Sequence, residues 1–268
     1  MSAIRCERVS VGFGGPPILS NVTFEIEDGE FIGVLGANGA GKTTLMRAIL
    51  GVIATSAGTI RVFGAPVRRG NPAIGYAPQV RSPVLHSRIR GWDFVASAAD
   101  GHRWGLPWHG AADRKDVDRA LHLVGAHDLA RRPISELSGG ERQRLMIAQA
   151  LVGAPKLLLL DEPLISLDPR HQQAVIDLVR DIGRELDITV LFSAHEINPL
   201  LGALDRVLYL GRTHAALGRV DEVITGPVLS NLYGSEIEVV RVDGRIFVMS
   251  SGHNVEHDAH QHEHNHAH

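Results

Sequence analysis

Gly36-Ala37-Asn38-Gly39-Ala40-Gly41-Lys42-Thr43-Thr44 is the stretch from which the fold can be read outward. It fits the pattern G-x-x-x-x-G-K-[ST]. In that pattern glycines let backbone N–H groups turn inward around an anion, and the following helix presents its positive end. Lysine is scarce, occurring only at Lys42, Lys115 and Lys156, so composition does not account for its place in the loop. The pattern puts Lys42 on the β- and γ-phosphates of a nucleotide and the Thr43 hydroxyl on Mg2+. The context agrees, because Phe31–Leu35 is an apolar run that predicts a strand before the loop and Lys42–Leu50 predicts a helix after it.

Strands and helices alternate on either side. Val22–Ile26 alternates apolar and polar residues before an Asp28-Gly29 turn, and Leu157–Leu160 is a continuous apolar run of the kind covered on both faces. Arg170–Leu186 predicts a helix, and Ile188–Phe192 and Arg206–Leu210 predict two more buried strands. Alternation of this kind implies a mostly parallel sheet with helices on both faces. Ile237–Val242 and Arg245–Met249 flank Asp243-Gly244 and predict a hairpin. Between about Ser82 and Pro133 the strand-like runs stop. That stretch holds Trp92, Trp104 and Trp108, is broken by Gly101, Gly105, Pro107 and Gly110, and predicts an inserted helical subdomain.

Composition narrows the function classes. The 268 residues are 44% apolar and 21% charged, as in an ordinary globular domain, and the 27 basic against 30 acidic side chains lack the positive excess of non-specific nucleic-acid binding. A single cysteine, Cys6, excludes an intrachain disulfide and fits a reducing compartment, with the thiol buried in the first strand. The first residues lack the layout of a signal peptide, and no stretch reaches the ~18 apolar residues of a membrane span. The expectation is a chain that does not itself cross a bilayer, carries one cassette without internal repeats, and binds no nucleic acid.

Two further stretches carry chemistry. Asp161 and Glu162 end the Leu157–Leu160 strand, where a parallel sheet turns its carboxyl edge toward bound phosphates. There Asp161 would hold Mg2+ and Glu162 would polarise the attacking water as general base. Leu137-Ser138-Gly139-Gly140-Glu141 opens an amphipathic helix running through Leu151. Ser138 and Glu141 have the spacing of a capping box, yet the same hydroxyl and helix-start N–H groups can hold a phosphate. The two glycines favour the second use, since an ordinary cap needs no side-chain-free approach surface.

Together these residues resemble the nucleotide-binding subunit of ATP-binding-cassette (ABC) transporters, over roughly Ile4 to Gly226, with Leu137–Gln143 similar to that family's signature sequence. The resemblance implies an α/β fold: a phosphate-loop NTPase core with an antiparallel β subdomain and a helical subdomain inserted at about residues 82–152, all within 1–250. It implies ATP and Mg2+ held by Gly36, Asn38, Gly39, Gly41, Lys42, Thr43 and Thr44, with Phe13 stacking on adenine unless it is simply a turn aromatic. Gln79 would sense Mg2+ and link to the helical subdomain, and His195 would contact the γ-phosphate. Asp168 would lie at a dimer interface, cap the helix that Pro169 begins, or do both. Ser138, Gly139 and Gly140 would meet the ATP of a second copy, so the working unit is a homodimer. The remaining implied partners are polytopic permease subunits and an extracytoplasmic metal-binding protein, with the chain peripheral on the cytoplasmic face of the membrane. Two departures, the bulky Leu164-Ile165-Ser166 and Ala194 in place of a hydroxyl residue, bear on turnover and not on the resemblance.

The chain ends in a histidine-rich tail, 251–268, with His253, His257, His260, His262, His264, His266 and His268. Imidazoles with Glu256, Asp258 and Glu263 suit Zn2+ and similar ions, and the lack of apolar residues predicts disorder until metal arrives. The irregular spacing argues against a purification tag. The body also resembles the cassettes of bacterial zinc, manganese and iron importers, so tail and body favour a divalent-metal importer, zinc ahead of manganese or iron. Rival readings are a cassette for another cargo, or a soluble ABC ATPase of DNA repair or translation. The latter usually carries two cassettes or long coiled coils, which this chain lacks. A metal-storage protein would leave the phosphate loop unexplained.

Overall fold

The computed structural model describes residues 2–79, 88–99, 110–211 and 214–250. Trp104, Trp108 and the tail histidines His253, His257, His260, His262, His264, His266 and His268 lie outside the described residues.

Chain order starts with two long strands, β1 (Ser2–Val11) and β2 (Leu19–Glu27). Their alternating burial is what a sheet with one covered face requires. With β4 (Ala57–Val62) and β5 (Ala65–Pro66) they form an antiparallel sheet in the order β2-β1-β4-β5. A bulge interrupts β1 between Cys6 and Val9, where Arg8 takes φ 52 and its N–H bonds the Thr23 hydroxyl at 2.9 Å. Gly58 of β4 accommodates it, because a Cβ there would lie 2.2 Å from the Arg8 carbonyl oxygen.

The second sheet has six strands. These are β3 (Phe31–Leu35), β6 (Ile74–Ala77), β7 (Leu157–Leu160), β8 (Thr189–Ser193), β9 (Arg206–Leu210) and β10 (Ala215–Gly218), in the order β10-β9-β3-β8-β7-β6. All neighbours are parallel except β10, which runs back along β9. Side chains of successive residues leave on opposite faces, and the core divides accordingly. Ile32, Val34, Leu157, Leu159, Leu191 and Leu208 join the antiparallel sheet and helix α1 (Lys42–Ile49) in one cluster. Phe31, Leu35, Leu158, Leu160, Val190 and Phe192 join the helices α2 (Gly91–Ala96), α3 (Ala111–Leu123), α4 (Gly139–Leu151) and α5 (Pro169–Glu185) in the other. The four leucines of β7 are 0–1% exposed, each worth roughly 1.5–3 kcal/mol of burial. This is the mixed α/β architecture with helices on both faces that the alternation predicts.

Helix α4 is seated by glycine: a Cβ on Gly75 of β6 would lie 2.0 Å from the Ala150 carbonyl oxygen near the helix's far end. After β10 come α6 (Val220–Val223), α7 (Gly226–Tyr233) and a hairpin of β11 (Ile237–Val242) and β12 (Arg245–Ser250). Asp243 and Gly244 turn it with φ 48 and 75, the left-handed pair a two-residue hairpin loop needs. Among the described residues no helix is long and apolar enough to cross a membrane.

Candidate functional site

Four of the loops that leave the carboxyl edge of the parallel sheet stand side by side: after β3, β8, β7 and β6. That edge is where open α/β sheets bind ligands. The loop after β3 turns through Gly36, Gly39 and Gly41 with φ 145, 80 and 96, and Gly41 is the left-handed N-cap of α1. A Cβ on Gly36 would meet the Leu210 carbonyl oxygen at 2.5 Å, and one on Gly41 would meet Leu19 at 2.7 Å. Both conformation and space therefore demand glycine. Asn38 and Gly39 lie exposed at the loop's crest, while Thr44 is half-buried in the first turn of α1.

Lys42 is 5% exposed, its Nζ donating to the Gly36 carbonyl at 2.9 Å and lying 3.7 Å from Glu162 Oε1. Burial lowers its pKa, and the carboxylates of Glu162 and Asp161 oppose that shift. A buried ammonium with so few partners is able to take an anion.

The loop after β7 presents two carboxylates in different settings. Asp161 is 1% exposed. Thr43 Oγ1 and Ser193 Oγ each donate to its Oδ1 at 3.1 Å, and the Tyr76 hydroxyl donates to Oδ2 at 3.3 Å. Burial, first, and the Asp161 charge push the Tyr76 hydroxyl up to about 12, so it remains a donor. Glu162 takes φ 51, rare for a non-glycine residue, and its N–H donates to Ser193 Oγ at 2.8 Å. Its carboxylate gathers the other loops: Gln79 Nε2 donates to Oε2 at 2.6 Å, and His195 Nε2 lies 2.8 Å from Oε1. Gln79 thus meets Glu162.

Ser138 caps α4 in a reciprocal box, its Oγ accepting from Glu141 N at 3.3 Å while its own N–H donates to Glu141 Oε2 at 2.7 Å. The bland capping use is therefore real. Gly140 also has an internal reason, since a Cβ there would lie 2.8 Å from the His171 ring, whereas the nearest atom to one on Gly139 would be Leu167 Cδ2 at 3.4 Å. Asp168 caps α5, accepting from Arg170 N and His171 N at 3.0 and 3.1 Å, and pairs with His171 Nδ1 at 2.6 Å. Those bonds, His171's first, hold its carboxyl below the usual range. Phe13 is 65% exposed, so it is not a core aromatic.

Residues 19–165 match the family described as ABC transporter. The chain belongs to the ABC transporter family. It is 32% identical over 248 residues to the manganese transport system ATP-binding protein MntB of Bacillus subtilis, covering 90% of this chain and 96% of that one. It is 35% identical over 213 residues to a Chlamydia pneumoniae protein named a probable metal transport system ATP-binding protein, covering 77% of this chain and 84% of that one. Among solved structures, CbiO1 of Clostridium perfringens, part of the ABC transporter complex CbiONQ, superposes with a TM-score of 0.73 at 27% identity, covering 86% of this chain and 93% of that chain.

The chain is thus an ABC ATPase, which uses ATP with Mg2+. The carboxylate and hydroxyl oxygens of Asp161 and Thr43 are a donor set that suits that hard cation. Two groups at the site carry no motif: Ser193, which bonds both acidic residues, and Tyr76. Ser193 is a hydroxyl amid an apolar strand and fully buried, the one signal that could have found it.

Proposed function

We propose that this chain is the ATP-hydrolysing subunit of a membrane importer for a divalent transition metal, peripheral on the cytoplasmic face and paired with polytopic permease subunits. The carrying observation is the convergence of Lys42, Gln79 and His195 on Glu162 at the end of a buried strand. Glu162 takes the proton of the attacking water, and a carboxylate already within hydrogen-bond reach of a histidine is oriented for that transfer. Lys42 and the inward N–H groups of 36–44 hold the phosphates, with Asn38, Gly39 and Thr44 lining them. Gln79 and His195 address the water and the γ-phosphate. Asp161 and Thr43 hold Mg2+, which when bound neutralises phosphate charge. Phe13 offers an exposed ring to adenine.

Two copies work head to tail. Ser138, Gly139 and Gly140 of one meet the ATP of the other, with Asp168 at the junction while it caps α5. The cassette occupies 1–250 with the helical subdomain at about 82–152, and a metal-binding protein outside the membrane delivers the cargo.

Glu162→Gln should nearly abolish hydrolysis while keeping ATP binding, leaving an ATP-trapped dimer on size exclusion; wild-type turnover would remove Glu162 from the base role. Ser138→Ala should spare nucleotide binding by the monomer and impair dimer turnover.

For the cargo, the names of the Bacillus subtilis and Chlamydia pneumoniae relatives support a metal, manganese in the former. The histidines of 251–268 (His257, His260, His262, His264, His266 and His268 above all) support zinc, as cargo and as ligand of the tail. Growth of a deletion strain under chelation, rescued by zinc, manganese or iron alone, identifies it; rescue by none refutes metal uptake. Tail deletion that leaves zinc inhibition of the ATPase unchanged refutes a sensing tail.

A further inference from the structure

Among the described residues, side-chain hydrogen bonds fasten the hairpin β11–β12 to the body at three places, and Ile237 and Ile246 are buried in the core. Two tie it to the chain just before it: Ile237 N–H donates to Ser230 Oγ at 2.8 Å, and the Arg241 guanidinium donates to the Ile224 carbonyl at 3.2 Å. The third reaches 48 residues back. Asn198 Nδ2 donates to the Ile246 carbonyl at 2.9 Å while its Oδ1 accepts from Ile246 N–H at 2.8 Å. One side-chain amide thus pairs with both backbone groups of Ile246, as a neighbouring strand would, on the edge of β12 that β11 does not cover.

Asn198 stands three residues after His195. The intervening segment is held at both ends. Ala194 N–H donates to the Val34 carbonyl at 3.1 Å, continuing the β8–β3 pairing, and Asn198 carries the clamp to Ile246. Ile197 and Leu200 are buried and joined by a Leu200 N–H to Ile197 carbonyl bond of 2.9 Å. His195 and Glu196 are the exposed members of this short span; the His195 side chain is 39% exposed and its ring reaches back to Glu162. Capping residues at a helix start need only local bonds. Asn198 spends both ends of its amide on a distant strand, which a purely local role does not require.

We infer that Asn198 is a positioning residue for His195, so that the C-terminal hairpin sets how the γ-phosphate end of the site is presented to ATP. This rests on the role of His195 proposed above. A shift of β12 moves the Asn198 end of the span while the Ala194 end stays fixed to the sheet, and the imidazole between them turns away from its position over Glu162. The hairpin, remote from the nucleotide in sequence, is in this way part of what the site needs for turnover and not for nucleotide binding in general.

The test uses the full chain and reads two affinities and one rate. Asn198→Ala removes the clamp from one side. Ile246→Pro removes the N–H from the other and also a buried side chain, so its melting midpoint is read beside its rate. Each should lower kcat by about tenfold and weaken a non-hydrolysable triphosphate analogue to a similar degree, with ADP affinity within about twofold of wild type. The double variant should be no worse than Ile246→Pro alone. Asn198→Asp, which keeps the acceptor for Ile246 N–H but sets a carboxylate oxygen against the Ile246 carbonyl, should be no better than Asn198→Ala. The inference is overturned if Asn198→Ala keeps wild-type kcat, or if ADP and the analogue weaken together, the mark of general damage. His195→Ala separates the two layers. If it hydrolyses normally, the role of His195 falls and this inference with it; if it is impaired while Asn198→Ala is not, this inference alone fails.

Discussion

Replacing Ser193 by alanine tests whether one buried hydroxyl holds the two acidic residues in register. Ser193 is fully buried, donates to Asp161 Oδ1 at 3.1 Å and accepts from Glu162 N–H at 2.8 Å. Losing a bond to a charged acceptor costs about 1.5–3 kcal/mol, and leaving the Glu162 N–H without its partner adds about 1–3 kcal/mol. Thr43 and Tyr76 still donate to Asp161, which keeps the first loss at the low end of its range. A destabilisation of about 3 kcal/mol follows, or roughly 6–12 °C in melting midpoint for a chain of this size. The consequence for turnover is larger. Glu162 sits at φ 51, a conformation costing on the order of 1–2 kcal/mol that the Ser193 bond helps to retain. Once freed, the carboxylate is displaced from Gln79 and His195, and a shift of about 1 Å is enough to cost on the order of a hundredfold in kcat. Circular dichroism melts and steady-state phosphate release, each with Ser193→Thr as the hydroxyl-retaining control, measure both effects. A Ser193→Ala protein that melts within 2 °C of wild type (about 1 kcal/mol or less) and turns over normally would refute the reasoning.

Gly75→Ala drives a methyl group to 2.0 Å from the Ala150 carbonyl oxygen, and backbone cannot rotate aside. It should destabilise by about 1–3 kcal/mol or more in a urea titration, and a variant as stable as wild type would show that β6 and α4 have room to part. Glu141 is held below the usual carboxylate range chiefly by the Ser138 N–H, with Arg132 also contributing. The stabilisation from a depressed carboxylate is complete above its unfolded pKa and is lost as pH falls through the folded one. Glu141→Gln should therefore flatten the acid limb of the melting-point profile below about pH 4, and an unchanged limb would refute it.

What could be read from the chain beforehand divides by the range of the interaction. The glycine loop, the β7 leucines and the Asp243-Gly244 turn state local demands of backbone conformation or of burial on both faces, and local demands leave a pattern. Phe13, Gln79 and His195 have no such pattern and became candidates only through resemblance, while Asp168 before Pro169 also reads locally as a helix cap. The clamp from Asn198 to Ile246 and the Ser193 bridge are made through space between segments far apart, so no spacing rule announces them. Gly140 is an instructive mixed case. Its pairing with Gly139 suggests an open approach surface, yet the His171 ring of the same chain already claims the space above it.

Helix α4 joins two of the regions described. Ser138 caps its start, and its last turn rests against β6 at Gly75, on the strand next to the one that ends at Glu162. Its 13 residues make a rod of about 20 Å. Such a rod is a lever with its fulcrum at the Ala150–Gly75 contact: a tilt of about 10° there sweeps the serine, about 18 Å away, through roughly 3 Å, the scale of one hydrogen bond made or broken. Near that tip Gly140 packs against the His171 ring, so such a tilt has to carry α5 with it.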